Sequence, residues 1–160
     1  MRDAFHSAGA AMTSHDTLHL VLDRKGHEVW SVSPDTTVYD AIDLMAQKRI
    51  GALLVISEDR PVGVMSERDY ARKVALLGRR SRETPVKEIM TSPVICVTPD
   101  HTVEECMEIM TTHRIRHLPV IAEHTVVGVI SIGDMVNWII SAHEATINHL
   151  HNYIMGKYPG

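Results

Sequence analysis

One stretch of this chain occurs twice. Gly128-Val129-Ile130-Ser131-Ile132-Gly133-Asp134 repeats Gly63-Val64-Met65-Ser66-Glu67-Arg68-Asp69 at an offset of 65 residues. Each copy reads as a short apolar strand led in by Gly, then Ser, two spacers and Asp opening an apolar-periodic helix. The similarity runs on without a gap. Val32-Ser33-Pro34-Asp35-Thr36-Thr37-Val38 meets Val97-Thr98-Pro99-Asp100-His101-Thr102-Val103, and Arg49-Ile50 meets Arg114-Ile115. Between residues 31 and 69, 17 of 39 positions are identical to their partners, a level that chance does not supply in an ungapped alignment. A period of 65 is too long for the usual solenoid repeats, so the chain reads as two copies of one small unit.

Within the first copy, Val29–Val32 predicts a short strand. Thr36 or Thr37 then caps a helix with Val38, Ala41, Ile42 and Met45 on one face. The β-branched run 52–56 predicts a buried strand, Glu58–Pro61 a turn, 62–65 another strand, and Ser66 opens a helix that Gly78 ends near residue 77. Thr84-Pro85 starts one short helical turn carrying Val86, Ile89 and Met90. The second copy repeats the order, with strands at 94–97, 117–121 and 126–130, a helix at 102–112 and another from Ser131. Each unit is β-α-β-β-α, and neither has enough apolar faces to bury alone. The expected class is α/β (α+β), with two three-stranded sheets and four helices packed as a pseudo-twofold pair. The expected organisation is a tail at 1–17, a first repeat at 18–80, a linker at 81–93, a second repeat at 94–142 and a helical extension at 143–160.

The last helix departs from its copy. It is expected to run from Ser131 to about Ile154, with Met135, Val136, Ile139, Ile140, His143, Ile147, Leu150 and Ile154 along one side. An apolar stripe that outlasts its domain calls for a partner, so a homodimer through this helix is expected; folding back on its own chain is the alternative.

Composition narrows the function. A net charge of −4 argues against nucleic acid, which needs a basic footprint. Cys96 and Cys106 make no disulfide framework, which fits a reducing cytoplasm. No apolar run reaches the about 18 residues of a membrane span, and no signal-like core follows the N-terminus. Eleven histidines invite a metal reading, yet no Cys or acid completes a tetrahedral set around His15, His19, His143, His149 or His151, so no metal is expected. Cys106 falls on the core stripe of its helix and reads as a small hydrophobe.

The duplicated Ser-x-x-Asp admits two readings. As a capping box it satisfies free backbone N–H groups at a helix start. As a nucleotide site, a carboxylate held there accepts both ribose hydroxyls, while the helix N-terminus and nearby cations take phosphates. A groove between two apolar sheets would hold the base. Arg116 and His117, with Arg68 beside Asp69, are the candidate cations. From Tyr70 to Arg82 there are five further cationic side chains and no acid, which reads as a solvated surface, a phosphate contact or a docking patch for an acidic partner.

Pro-Asp-x-Thr-Val, Met-x3-Arg-Ile, Leu-x-Val and Val-Gly-Val-hydrophobic-Ser-x-x-Asp, each present twice, resemble the tandem cystathionine-β-synthase (CBS) domain pair from about residue 25 to 140. Ser66–Lys73 and Lys87-Glu88-Ile89-Met90-Thr91 resemble the small stand-alone bacterial members. The resemblance implies a sensor of adenosine ligands (AMP, ADP, ATP, NAD or S-adenosylmethionine), disc-like dimers, and no catalysis by the pair. It carries ribose binding onto Asp69 and Asp134, with Ser66 and Ser131 as hydroxyl partners and Gly133 beside them. It implies that Asp134 shares its site with Trp30, Ile50, Gly51 and Ala52, and Asp69 with Ser92, Pro93, Val94, Ile95, Ile115, Arg116 and His117. Gly51-Ala52 stands where the second copy has Arg116-His117, so the two sites should differ in ligand or affinity. The competing readings are an interaction scaffold with empty clefts and a nucleotide-processing enzyme; for the latter the chain shows no phosphate-cradling glycine loop.

Overall fold

The computed structural model describes residues 15–155. Most of the expected tail, 1–14, and the segment 156–160 lie outside the described residues.

The 65-residue offset survives in the backbone residue for residue. Helices α2 (Val38–Lys48) and α4 (Val103–His113), strands β2 (Ala52–Ser57) and β4 (His117–Ala122), and strands β3 (Arg60–Ser66) and β5 (Thr125–Ser131) form equal-length pairs. Thr37 and Thr102 cap α2 and α4, each side chain accepting from the backbone N–H three residues on. Both helices stop at an arginine in the left-handed region, Arg49 and Arg114, at φ 55°. Both hairpins turn through two left-handed residues, Glu58-Asp59 and Glu123-His124. The remaining elements are α1 (Leu18–Lys25), β1 (Ser31–Val32), α3 (Glu67–Tyr70), a π-helical segment (Ala71–Ala75), a 3-10 turn (Val86–Glu88) and the 23-residue α5 (Ile132–Ile154).

The chain divides into two units. One comprises the chain up to Gly26, Thr98–Leu118 and the chain from Ile130, and so holds α1, α4 and α5. Its buried side chains include Leu18, Val21, Leu22, Val103, Cys106, Met110, Leu118, Ile130 and Met135. The other comprises His27–Val97 and Pro119–Val129. Its core gathers Val38, Ala41 and Met45 of α2, Leu53 and Val55 of β2, Met65, Val74, Val86 and Ile89. There β1 runs parallel to β2, which pairs antiparallel with β3.

Four expectations need correction. The sheets have three strands (β1-β2-β3) and two (β4-β5), not three each. The stretch 94–97 makes a single bridge, Val97 to Val120, where the first copy has two rungs. The cause is Pro119. Its counterpart Leu54 donates its N–H to the Trp30 carbonyl, and proline has no N–H to donate. The helix expected from Ser66 to residue 77 is one α-turn followed by a π-helical segment, Ala71–Ala75, in which the Leu76 N–H reaches back to the Ala71 carbonyl. Finally, the stripe of α5 is two faces. Met135 is fully buried in its own unit and Ile139 half-buried, while Val136, Ile140, Ile147, Leu150 and Ile154 are exposed.

Candidate ligand-binding site

In both copies the β-strand delivers its Ser to the start of a helix, and the capping reading holds. The Ser66 N–H donates to Asp69 Oδ2 at 3.0 Å while the Asp69 N–H donates to Ser66 Oγ at 3.1 Å. The Ser131 N–H donates to Asp134 Oδ2 at 2.8 Å while the Asp134 N–H donates to Ser131 Oγ at 3.1 Å. The difference lies in what else reaches each carboxylate.

Asp69 is saturated. Its Oδ2 also accepts from Ser66 Oγ at 3.1 Å, and its Oδ1 takes Lys73 Nζ at 3.0 Å and Thr91 Oγ1 at 3.3 Å. Four donors match the roughly four lone-pair directions of a carboxylate. Local structure sets this up. Val64 and Thr91 exchange backbone hydrogen bonds, which lays the segment after Ile89 along β3. Gly63 permits the approach, since a Cβ there would lie 2.5 Å from Met90 Sδ. Lys73 sits four residues beyond Asp69 and also donates to the Ile89 carbonyl.

Asp134 is open on one side. Lys25 Nζ meets Oδ2 at 2.5 Å, but among the described residues no hydrogen bond reaches Oδ1. Its side chain is 22% exposed against 12% for Asp69. It lines a cleft of about 230 Å³ with Val21, Arg24, Lys25, Asn137 and Trp138, all in the same unit. The Arg24 guanidinium lies over the Trp138 ring at 5.6 Å and donates to Ser141 Oγ. The Trp138 N–H is fixed by Asp16 at 2.9 Å. The cleft thus joins an open carboxylate oxygen, two cations and an aromatic ring.

The other candidate residues take these positions. The Gly51 carbonyl accepts the Glu67 N–H, which brings 51 beside the start of α3. Trp30 is half-buried under the Lys48 ammonium, 4.1 Å from the ring centre. Ile50, Ala52 and Ile95 are half-buried, and Pro93 is exposed. These residues belong to the unit that holds Asp69, whereas Ile115, Arg116 and His117 belong to the unit that holds Asp134. There the Arg116 carbonyl accepts the Ile132 N–H, so its backbone, not its charge, meets the start of α5. Arg68, Arg116 and Gly133 are exposed, and neither arginine side chain forms an ion pair among the described residues. The basic run is largely occupied. Besides Lys73, Arg79 pairs with Glu88, Arg80 with Glu83, and Arg82 stacks on Tyr39. Cys106 is buried, and burial pushes its thiol up to about 11. Among the described residues no group of three His, Cys, Asp or Glu side chains is placed to share a metal ion.

Sequence reasoning missed Lys25, Thr91 and the pairing of Lys73. Lys73 carried a signal, the i,i+4 spacing from Asp69. Lys25 carried one too, since Leu18, Val21 and Leu22 at i, i+3, i+4 followed by Gly26 spell a short helix ending in a cation.

The two copies thus share a strand-Ser-x-x-Asp-helix geometry and differ in the acceptor capacity left on the carboxylate. Models of the CBS domain match residues 21–76 and 86–141, and the chain belongs to the CBS-domain family. Tandem CBS domains are generally regulatory modules that bind adenosine-containing ligands. The chain is 41% identical over 138 residues to the CBS domain-containing protein CBSX3, mitochondrial, of Arabidopsis thaliana, spanning 83% of this chain and 66% of that one. It is 33% identical to the CBS domain-containing protein YhcV of Bacillus subtilis, over 84% of this chain and 97% of that one. A solved structure of a protein with CBS domains from Burkholderia ambifaria shares 48% identity at a TM-score of 0.75, over 78% of this chain and 94% of that one.

Proposed function

We propose that this chain is a non-catalytic sensor that grips the ribose of an adenosine-containing ligand with Asp134 and signals through the geometry of a homodimer. The observation that carries this reading is the asymmetry between the two aspartates. A ribose diol needs a carboxylate with acceptor capacity to spare, and Asp134 keeps Oδ1 while Asp69 has none left. Arg24 and Lys25 line the same cleft and suit phosphate. They favour AMP, ADP, ATP or NAD over S-adenosylmethionine, whose sulfonium is itself cationic. Asp69 then serves chiefly as a cap, and occupancy there requires Lys73 or Thr91 to let go. No helix is long and apolar enough to cross a membrane among the described residues; a cytoplasmic location is part of the proposal.

Calorimetry against AMP, ATP, NAD and S-adenosylmethionine tests it. Asp134→Asn should weaken binding by about 1–3 kcal/mol, because the diol loses a charged acceptor. Asp69→Asn should leave affinity nearly unchanged. Absence of binding by all four ligands at millimolar concentration sinks the reading. The scaffold alternative draws on the saturation of Asp69, and it predicts that both Asn variants keep function while charge reversal at Arg79 and Arg80 abolishes it.

A further inference from the structure

The carboxylates of the two copies are both met by a lysine, but the lysines are not repeat partners. Lys73 stands four residues beyond Asp69 and pairs with it across one helical turn. The residue four beyond Asp134 is Trp138. The second copy takes its cation from elsewhere. Lys25, the last residue of α1, brings Nζ to Asp134 Oδ2 at 2.5 Å. Lys73 is tied a second time, to the Ile89 carbonyl, beside an aspartate with no acceptor to spare. Lys25 instead lines the cleft that Asp134 lines.

A vicinal diol gripped side by side places one hydroxyl on each carboxylate oxygen, so it needs a lone pair on both. Asp134 Oδ1 has them. Oδ2 already accepts from the Ser131 N–H and from Lys25, which fills it. The Ser131 N–H is part of the cap that starts α5 and stays where it is. Lys25 is able to move, because its ammonium rides on a flexible stem and carries rotatable donors. The side-by-side grip therefore requires Lys25 to leave Oδ2, and an ammonium drawn off a carboxylate needs another anion. A nucleoside offers none. The phosphate of a nucleotide does.

We infer that Lys25 is the specificity-determining residue of this cleft: it covers an acceptor that the ribose needs and yields it to ligands that bring a phosphate in exchange, so the cleft selects nucleotides against nucleosides. This rests on the ribose reading of Asp134 and adds a condition for entry. Arg24 has a different part. Its guanidinium is held by Ser141 Oγ and lies over the Trp138 ring, neither of which the diol needs. It adds to phosphate binding without guarding the carboxylate.

Calorimetry of adenosine and AMP on the full chain tests it. Lys25→Met keeps the apolar stem and drops the charge. It should tighten adenosine about threefold, the scale of a part-exposed ion pair, and weaken AMP about tenfold. The preference for AMP over adenosine should thus fall about thirtyfold. Arg24→Gln should weaken AMP and leave adenosine unchanged. Wild type offers a check without substitution. Inorganic phosphate at millimolar concentration should tighten adenosine, since it gives Lys25 the anion that adenosine lacks, and should compete with AMP. Should Lys25→Met lose the far-UV dichroism of wild type, the phosphate arm decides. Adenosine bound no tighter by a folded Lys25→Met, or unmoved by inorganic phosphate in wild type, overturns the inference. If AMP still binds in that case, the ribose reading stands. No binding of either ligand to wild type or to Lys25→Met overturns both.

Discussion

Two aspartates in matching Ser-x-x-Asp motifs end in different states because of one residue a helical turn away, Lys73, and others remote in sequence. Ser-x-x-Asp fixes the cap in each copy, and that much is legible locally. What fills Asp69 Oδ1 is Lys73, four residues on, and Thr91, 22 residues on, whereas the one added donor at Asp134 among the described residues, Lys25, lies 109 residues away and reaches Oδ2. No local spacing reports a contact across such a separation. Substitution separates the roles. Thr91→Val should free one acceptor of Asp69 and cost about 1 kcal/mol of stability in denaturant titration, the usual value of one hydrogen bond. The thiols give a second check at this scale. Burial raises both Cys96 and Cys106, the latter to about 11. A raised value leaves less thiolate near neutral pH, so Cys106 should resist a thiol reagent until the chain unfolds, with half-buried Cys96 reacting first.

Equal lengths and matched caps made α2 and α4, β2 and β4, and β3 and β5 readable as pairs. One departure from symmetry traces to a single residue. Pro119 silences one rung, and a π-segment replaces the helix after Tyr70, whose apolar periodicity looked like that of any helix. The hairpin turns offer a prediction. Glu58 and Asp59 both sit at positive φ, where Asn-Gly is preferred. Replacing Glu58-Asp59 by Asn-Gly should raise stability by about 0.5–1 kcal/mol, read as a higher denaturation midpoint at unchanged slope. The Gly63 crossing works in the other direction. Gly63→Ala forces a methyl against Met90 and should destabilise by about 1–3 kcal/mol. The double variant with Met90→Ala should recover part of that loss, a coupling that a purely conformational effect of the alanine would not show.

For the molecule as a whole, the duplication was plain in the sequence, but the division into units was not. One unit draws on three separate stretches of chain and the other on two. Periodicity marks elements, and it carries no information on which elements share a core. A ligand that binds only the folded state should raise global stability by about 2.7 kcal/mol at a hundredfold excess over its dissociation constant, measurable as a shift in thermal midpoint. Asp134→Asn should remove about 1–2.4 kcal/mol of that stabilisation at the same concentration.

Helix α1 shares its unit with α4 and α5, and Thr17 bridges to Thr102 while Asp16 holds Trp138. During synthesis, therefore, Leu18, Val21 and Leu22 leave the ribosome long before the segments that shelter them have been translated. A nascent chain stalled before residue 130 should remain protease-sensitive at its amino end. Release of α5 is the event that completes the unit begun with α1.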